Sequence, residues 1–174
     1  MTTESEIAGL KRRLEALEAE GEIRKVVARY MEICDHLDEN APMDELGELF
    51  AKDAVWQGKK PKYAKDFGRH EGRDAIVKFL DTYRAPLPHF TSNVHFLTTE
   101  QITVKGQSAK GEWVMLQTPT FHEGSSYMLA ARLYMDFIHE EGRWRISQFA
   151  TENLFSKPIE GVWQEDTVLP IPQK

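Results

Sequence analysis

Along the first part of the chain, apolar residues recur at helical spacing. Ile7, Leu10, Leu14 and Leu17 follow one another at steps of three and four, with Lys, Arg and Glu between them. That is a narrow apolar stripe on a helix. Thr3 and Glu6 stand at the spacing of a capping box, in which each side chain satisfies an unpaired amide at the helix start. A stripe of this kind serves either as a contact with a second chain or as a seam along the body of its own domain. Gly21 reads as punctuation, so residues 1–20 form one amphipathic helix and the domain proper runs over 21–155. The period resumes with Ile23, Val26, Val27, Tyr30, Ile33, Cys34 and Leu37, now as the wider face of a helix lying on a core. Asn40-Ala41-Pro42 ends it. MDELGELF starts a short helix, DAVWQ reads as a strand, and GKKPKYAKDFGRHEG, rich in Gly, Pro and Lys, reads as a loop. A further helix is predicted over Asp74–Tyr83, with Ile76, Phe79, Leu80 and Tyr83 on one side.

From Phe90 onward the period changes to two. Ser92–Glu100, Ile102–Lys105, Gly111–Thr120, Ser126–His139 and Arg143–Thr151 are rich in β-branched and aromatic residues and are predicted to be strands. Lys105-Gly106-Gln107-Ser108 and Glu140-Glu141-Gly142-Arg143 are hairpin turns. The tail, residues 156–174, has little periodicity. It nevertheless carries Val162, Trp163, Val168, Leu169 and Ile171, and is expected to pack on the domain or on a neighbouring subunit. Helices first and an antiparallel meander second give an α+β fold, with helices against one face of a curved sheet.

Composition narrows the function classes. The 174 residues include 22 Lys+Arg against 28 Asp+Glu, for a net charge of -6. With no run of five basic residues, a nucleic-acid or anionic-membrane surface is not expected. Cys34 is the single cysteine, which excludes an intrachain disulfide and a cysteine-based metal site. No apolar run reaches the roughly 18 residues of a membrane span, and MTTESEIAGL lacks a signal-peptide core. The expectation is a cytoplasmic protein.

The six histidines (His36, His70, His89, His95, His122 and His139) form no spacing with recognisable metal geometry. There is no phosphate-binding glycine loop and no GxSxG. What remains is acid/base chemistry by His, Asp, Glu and Tyr in a pocket. In TSNVHFLTTE, alternation puts Asn93, His95 and Leu97 on one sheet face and Val94, Phe96 and Thr98 on the other. His95 is either a hydrogen-bonded structural histidine or a base pointing into an enclosed space; His89, of the same parity, is the alternative. Asp35 lies near a helix C-terminus, where the dipole disfavours an anion. It belongs either to a surface cluster with Asp38 and Glu39 or to a pair with a cation, and an Asp–His pair would fix the imidazole tautomer. Tyr30, about 140° around the helix from Asp35, is either a core aromatic or a pocket residue.

Four stretches together resemble the SnoaL-like branch of the NTF2-like superfamily: EIRKVVARYMEICDHLDENAPMDELGELFAKDAVW, GRDAIVKFL, VHFLTTEQITVKGQSAKGEW and YMDFIHEEGRWRI. The resemblance implies a cone-shaped curved sheet closed by helices, and within the branch the sequence looks like the cofactor-independent lyases of the scytalone dehydratase and bile-acid 7α-dehydratase type. Asp35, in YMEICD, and His95, in HFLTT, match the working pair of those enzymes, and Tyr30 matches a tyrosine five residues before the aspartate. The resemblance implies that His95 takes a proton, Asp35 orients it, and Tyr30 donates to a leaving or carbonyl oxygen. The hexachlorocyclohexane dehydrochlorinases of the branch carry lysine where this chain has Tyr30, which disfavours halide elimination. Trp56, Gln57 and Asn153 are rough counterparts of polar pocket residues. Trp56, Trp113, Met115, Met128 and Phe149 are either an apolar, aromatic-rich pocket lining or, for most of them, core-packing residues. The implied reaction is dehydration, or C–C cleavage with loss of a small aldehyde, on a hydroxylated aromatic or alicyclic substrate. Isomerisation, hydrolysis and a non-catalytic binding or subunit role are the alternatives. No cofactor or metal is implied, and the expected assembly is a homotrimer, or else a dimer.

Overall fold

A computed structural model describes residues 3–84, 86–161 and 163. Helix α1 runs unbroken from Thr3 to Asp35. Gly21, expected to end a first helix, sits inside it, because one glycine costs only about 1 kcal/mol in a helix and the apolar face that follows packs on the core. Ile23, Val27, Tyr30, Met31, Ile33 and Cys34 are its buried residues. Helix α2 (Met43–Glu48) leads into strand β1 (Phe50–Lys59).

The expected loop that follows is helix α3 (Lys60–Phe67) and a short strand β2 (Arg69–Glu71). Pro61 occupies the first turn of α3, where its missing amide costs nothing, and Tyr63 and Phe67 share a face at four-residue spacing. The helix doubles back tightly on β1. A Cβ on Gly58 would stand 2.0 Å from the Tyr63 carbonyl oxygen, so no larger residue fits that crossing. Helix α4 (Arg73–Asp81) buries Ile76 and Leu80.

The remaining strands are β3 (Phe90–Ser92), β4 (His95–Lys105), β5 (Ser108–Gln117), β6 (Thr120–Phe121), β7 (Ser126–Glu140) and β8 (Arg143–Ile159). They join β1 and β2 in one sheet of order β2-β1-β8-β7-β5-β4, with β6 pairing both β3 and β7. The β1–β8 pair is parallel and the other ladders are antiparallel. Both predicted hairpins form. Gly106 (φ 60°) opens the β4–β5 turn, and Glu141 (φ 52°) and Gly142 (φ 78°) form the β7–β8 turn, the left-handed geometry that matches strand twist. Register shifts in β4, β7 and β8 bend the ladders, and α1 lies in the resulting concavity. Its buried face meets Trp113, Met115, Leu133, Met135, Phe137 and Ile146 in one core.

Strand β8 extends to Ile159, so the first residues assigned to an irregular tail pair with β7 instead. Trp163 donates its Nε1–H to the Tyr127 carbonyl (3.1 Å). Val162, Val168, Leu169 and Ile171 lie outside the described residues. No helix among the described residues is long and apolar enough to cross a membrane.

Candidate active site

The C-terminus of α1 is tied to the start of β4 by side chains two residues apart on the strand. Asn93 donates to the Cys34 carbonyl (3.2 Å), one of the oxygens that a helix end leaves without an intrahelical partner. Gln117, paired across the sheet from His95, donates to Asn93 Oδ1 (2.7 Å). Next, Asp35 Oδ1 accepts from the backbone N–H of His95 (3.1 Å) and meets His95 Nδ1 at 2.6 Å. An ionised carboxylate can only accept, so Nδ1 carries the proton and Nε2 presents a lone pair. The pair is largely shielded, at 11% side-chain exposure for His95 and 16% for Asp35. The last turn of α1 holds no basic residue; two hydrogen bonds from His95 stabilise the carboxylate at an end of the helix that would otherwise oppose it. Val94 and Phe96, of the opposite parity, are exposed.

His95 lines a cavity of about 200 Å³ between α1, α3, α4 and the concave sheet face. Tyr30, Trp56, Phe67, Phe79, Tyr83 and Phe149 supply aromatic wall, and Met115, Leu129 and Leu133 add aliphatic wall. Trp56 stacks on Phe149 (centroids 5.3 Å apart, planes at 6°). His89 reaches the same space and meets Tyr83 and Phe121 edge-on. Polar side chains are few: besides the imidazoles of His89 and His95 and the Cys34 thiol, the hydroxyls of Tyr30, Tyr63, Tyr83 and Thr151 and the amides of Asn93 and Gln117.

Trp56 Nε1–H donates to the Tyr30 hydroxyl (3.0 Å). Tyr30's own proton is therefore directed elsewhere, toward Cys34 one turn along the helix or to an oxygen in the cavity. Burial pushes the Tyr30 phenol well above its ordinary value, and the Cys34 thiol and Tyr83 phenol up to about 12 each. These groups stay neutral and act as hydrogen-bond donors, not as anions.

Of the residues expected to form the site, the structure brings Tyr30, Trp56, His89, His95, Met115 and Phe149 to the cavity wall, with Asp35 holding His95. Four others lie elsewhere. Gln57 follows Trp56 on β1 and so faces the opposite side, where Oε1 accepts from Arg69 (2.9 Å). Trp113 faces inward but lies over Gly111, whose Cβ would stand 2.3 Å from its ring. It is packed in the core and donates to Glu100 (3.3 Å). Met128 alternates with Leu129 and is exposed. Asn153 donates to the Tyr63 hydroxyl (3.1 Å), supporting a wall residue from outside the cavity. Sequence reasoning missed Tyr63 and Phe67, whose helix it read as a loop; Pro61 before a Tyr–Phe pair at four-residue spacing was the available signal. It also missed Asn93 and Gln117 as partners, although both share the inward parity of their strands. Among the described residues no cluster of His, Cys, Asp and Glu could hold a metal ion.

A curved sheet and helices around one aromatic cavity, with a carboxylate–imidazole pair in its wall, define an α+β pocket protein of the NTF2-like kind. The sequence profile of the SnoaL-like domain matches residues 15–150, and the chain belongs to that family. Its fold is shared with solved structures. A type-3 LinA hexachlorocyclohexane dehydrochlorinase of Novosphingobium barchaimii is 17% identical, with a TM-score of 0.69 over 88% of this chain and 97% of that one. An NTF2-like protein with a cystatin-like fold from Novosphingobium aromaticivorans is 25% identical, with a TM-score of 0.68 over 84% and 89%. A protein of the same species named after scytalone dehydratase is 17% identical, with a TM-score of 0.68 over 88% and 97%. No curated protein matches the chain. Proteins of the dehydratase and dehydrochlorinase type are thus among its structural neighbours.

Proposed function

We propose that the protein is a cofactor-independent lyase acting on a small hydrophobic, hydroxylated ring compound, with His95 as the base. The observation that carries this reading is the 2.6 Å contact between His95 Nδ1 and Asp35, which leaves Nε2 as the free lone pair at an aromatic cavity. Nε2 takes a proton from carbon, the electron pair forms a C=C bond, and the neighbouring C–O bond breaks. The departing hydroxide recovers the proton from the imidazolium and leaves as water, so the enzyme returns to its starting state. Asp35 stabilises the transient imidazolium. Tyr30, neutral and already accepting from Trp56, donates a hydrogen bond to the carbonyl or leaving oxygen.

The cavity's size supports a compact substrate. An apolar void of about 150 Å³ accepts benzene, so about 200 Å³ suits one substituted ring. The family resemblance supports a homo-oligomeric enzyme, a trimer before a dimer.

The test is turnover of a panel of phenolic and alicyclic alcohols, followed by mass spectrometry. Loss of one water, or of a small aldehyde, marks a lyase; an altered product of unchanged mass marks an isomerase and overturns the reading. His95→Ala is expected to slow the reaction about 10²- to 10⁴-fold, the usual contribution of a positioned base, while the fold survives. Full activity in that variant would refute the role of His95.

A further inference from the structure

The first turns of α1 carry a surface that the domain does not use. Residues 3–18 are exposed apart from half-buried Gly9 and Ala16. Ile7, Leu10, Leu14 and Leu17 are 61%, 61%, 56% and 63% exposed, although they form an unbroken apolar row. Among the described residues, the ion pairs of α1 begin only at Glu20. Successive helical residues turn by about 100°. On that count the row points about 150° away from the face formed by Ile23, Val27, Tyr30 and Cys34, which is buried on the core. The seam therefore faces away from its own domain, and of the two readings open from sequence the intramolecular one loses its geometry.

The row has the 3-4-3 spacing of a coiled-coil seam, with Ile7 and Leu14 at a and Leu10 and Leu17 at d. In that register Glu6 and Arg13 fall at g, and Lys11 and Glu18 at e. Two parallel copies bring g of one helix against the following e of the other, pairing Glu6 with Lys11 and Arg13 with Glu18. Both contacts join opposite charges. Two antiparallel copies centred on the same row would oppose g to g and e to e, setting Arg13 against Arg13, Lys11 against Lys11, and Glu6 against Glu20. All of those are repulsive. A parallel pair also places both domains at the same end of the seam, with the buried face of each helix turned away from the partner helix. The helix is continuous with the folded domain, so the costly nucleation step of an isolated short helix is already met.

We infer that residues 3–18 are a self-association surface whose occupant is the same segment of a second copy, in parallel. The inference stands apart from the reading of the cavity, and either can fail without the other. The test uses the full chain and measures its mass by sedimentation equilibrium. Glu6→Lys with Arg13→Glu makes both g–e contacts like-charged, and so does Lys11→Glu with Glu18→Lys. Each double variant is expected to show half the wild-type mass, one copy in place of two, or three in place of six where the domains themselves form the trimer proposed above. An equimolar mixture of the two is expected to regain the wild-type mass, because the mixed pair restores opposite charges. Melting temperatures serve as the control, since all four positions are exposed. Direction is read separately. Ile7→Cys should form a covalent dimer on oxidation, because a parallel seam brings residue 7 against its own copy. An antiparallel seam sets it opposite Leu17, about 15 Å away along the axis. Wild-type mass in either double variant, no recovery on mixing, or no cross-link at residue 7 would each overturn the inference. A single-chain mass for the wild type would do the same, and would leave the row to residues 164–174 of its own chain or to a different protein.

Discussion

Replacing Asp35 by Asn isolates the charge of the carboxylate from its shape. The amide oxygen can still accept from the His95 backbone N–H and from Nδ1–H, at the positions now 3.1 Å and 2.6 Å away. What disappears is the negative charge that faces the imidazolium formed when Nε2 takes a proton. With charge centres about 4 Å apart and an effective dielectric near 20, that interaction is worth about 4 kcal/mol. The shielding of both side chains keeps solvent from erasing it. Each ~1.4 kcal/mol is tenfold in rate, so kcat should fall about 10³-fold. KM should change little, because the charge matters in the transition state and not in the neutral ground state. The assay is steady-state kinetics on whichever alcohol of the panel turns over, with a thermal melt to show that the fold is retained. A loss in kcat below tenfold, or a loss carried by KM alone, would refute the assignment of Asp35 as counter-ion to a charged His95.

Two further expectations need no substrate. Tyr30→Phe removes the acceptor of the buried Trp56 N–H; an orphaned buried donor costs about 1–3 kcal/mol. In a chain of this size that lowers Tm by roughly 3–10 °C, and an unchanged calorimetric Tm would contradict the hydrogen bond. Stability should also fall on the alkaline side. Burial holds Cys34, whose ordinary value is 9.0, and Tyr83, ordinarily 10.0, up to about 12 in the folded state, so above pH 9 the unfolded chain loses protons that the folded chain keeps. The resulting slope is negative, about one to two kcal/mol per pH unit for each group, between its ordinary and its raised value. Below pH 9 these groups contribute no slope. Urea midpoints measured from pH 8 to pH 11 check this, and a flat profile would show that the two side chains are not buried as described.

What was legible in the sequence, and what was not, divides along physical lines. Strands β4, β5, β7 and β8 are long runs between turn residues with a definite chirality, so local pattern and final structure agree there; the two-residue β6 has no pattern of its own. That Asn93 and His95 share one face follows from the alternation alone; that this face is the concave one is set by the curvature of the whole sheet. Helix α3 was hidden because Lys and Pro dominate its composition; what holds it is Tyr63 and Phe67 packing on the aromatic wall, and their four-residue spacing after Pro61 is a short signal that the loop-like composition outweighs. The errors in the wall have two origins: Gln57 and Met128 take the outward parity of their strands, and the other two residues lie at the wrong depth. Trp113 and Asn153 have inward parity, yet neither reaches the cavity. One is covered by the core, and the other is held behind Tyr63. Parity says which face of the sheet a side chain takes, but not how deep in the cone it lies.

Asp35 was legible for a different reason. A carboxylate at a helix C-terminus, in a turn without a basic residue, is locally unfavourable; that left a surface acid cluster or a partner supplied by the fold, and the family resemblance of YMEICD and HFLTT pointed to the second. That partner is the residue whose backbone N–H and ring N–H both converge on one carboxylate oxygen. Asn93, two positions earlier on the same face, satisfies the preceding carbonyl of the same helix end. The helix terminus and the strand start are therefore locked together by the groups that set the imidazole's tautomer. A substitution that loosens this junction should disturb the base before it disturbs the core. The residues to probe for activity with the least loss of stability are accordingly Asp35 and His95, whose side chains keep some exposure, not the buried Asn93 and Gln117 or the aromatic wall, where packing and substrate contact cannot be separated by a single change.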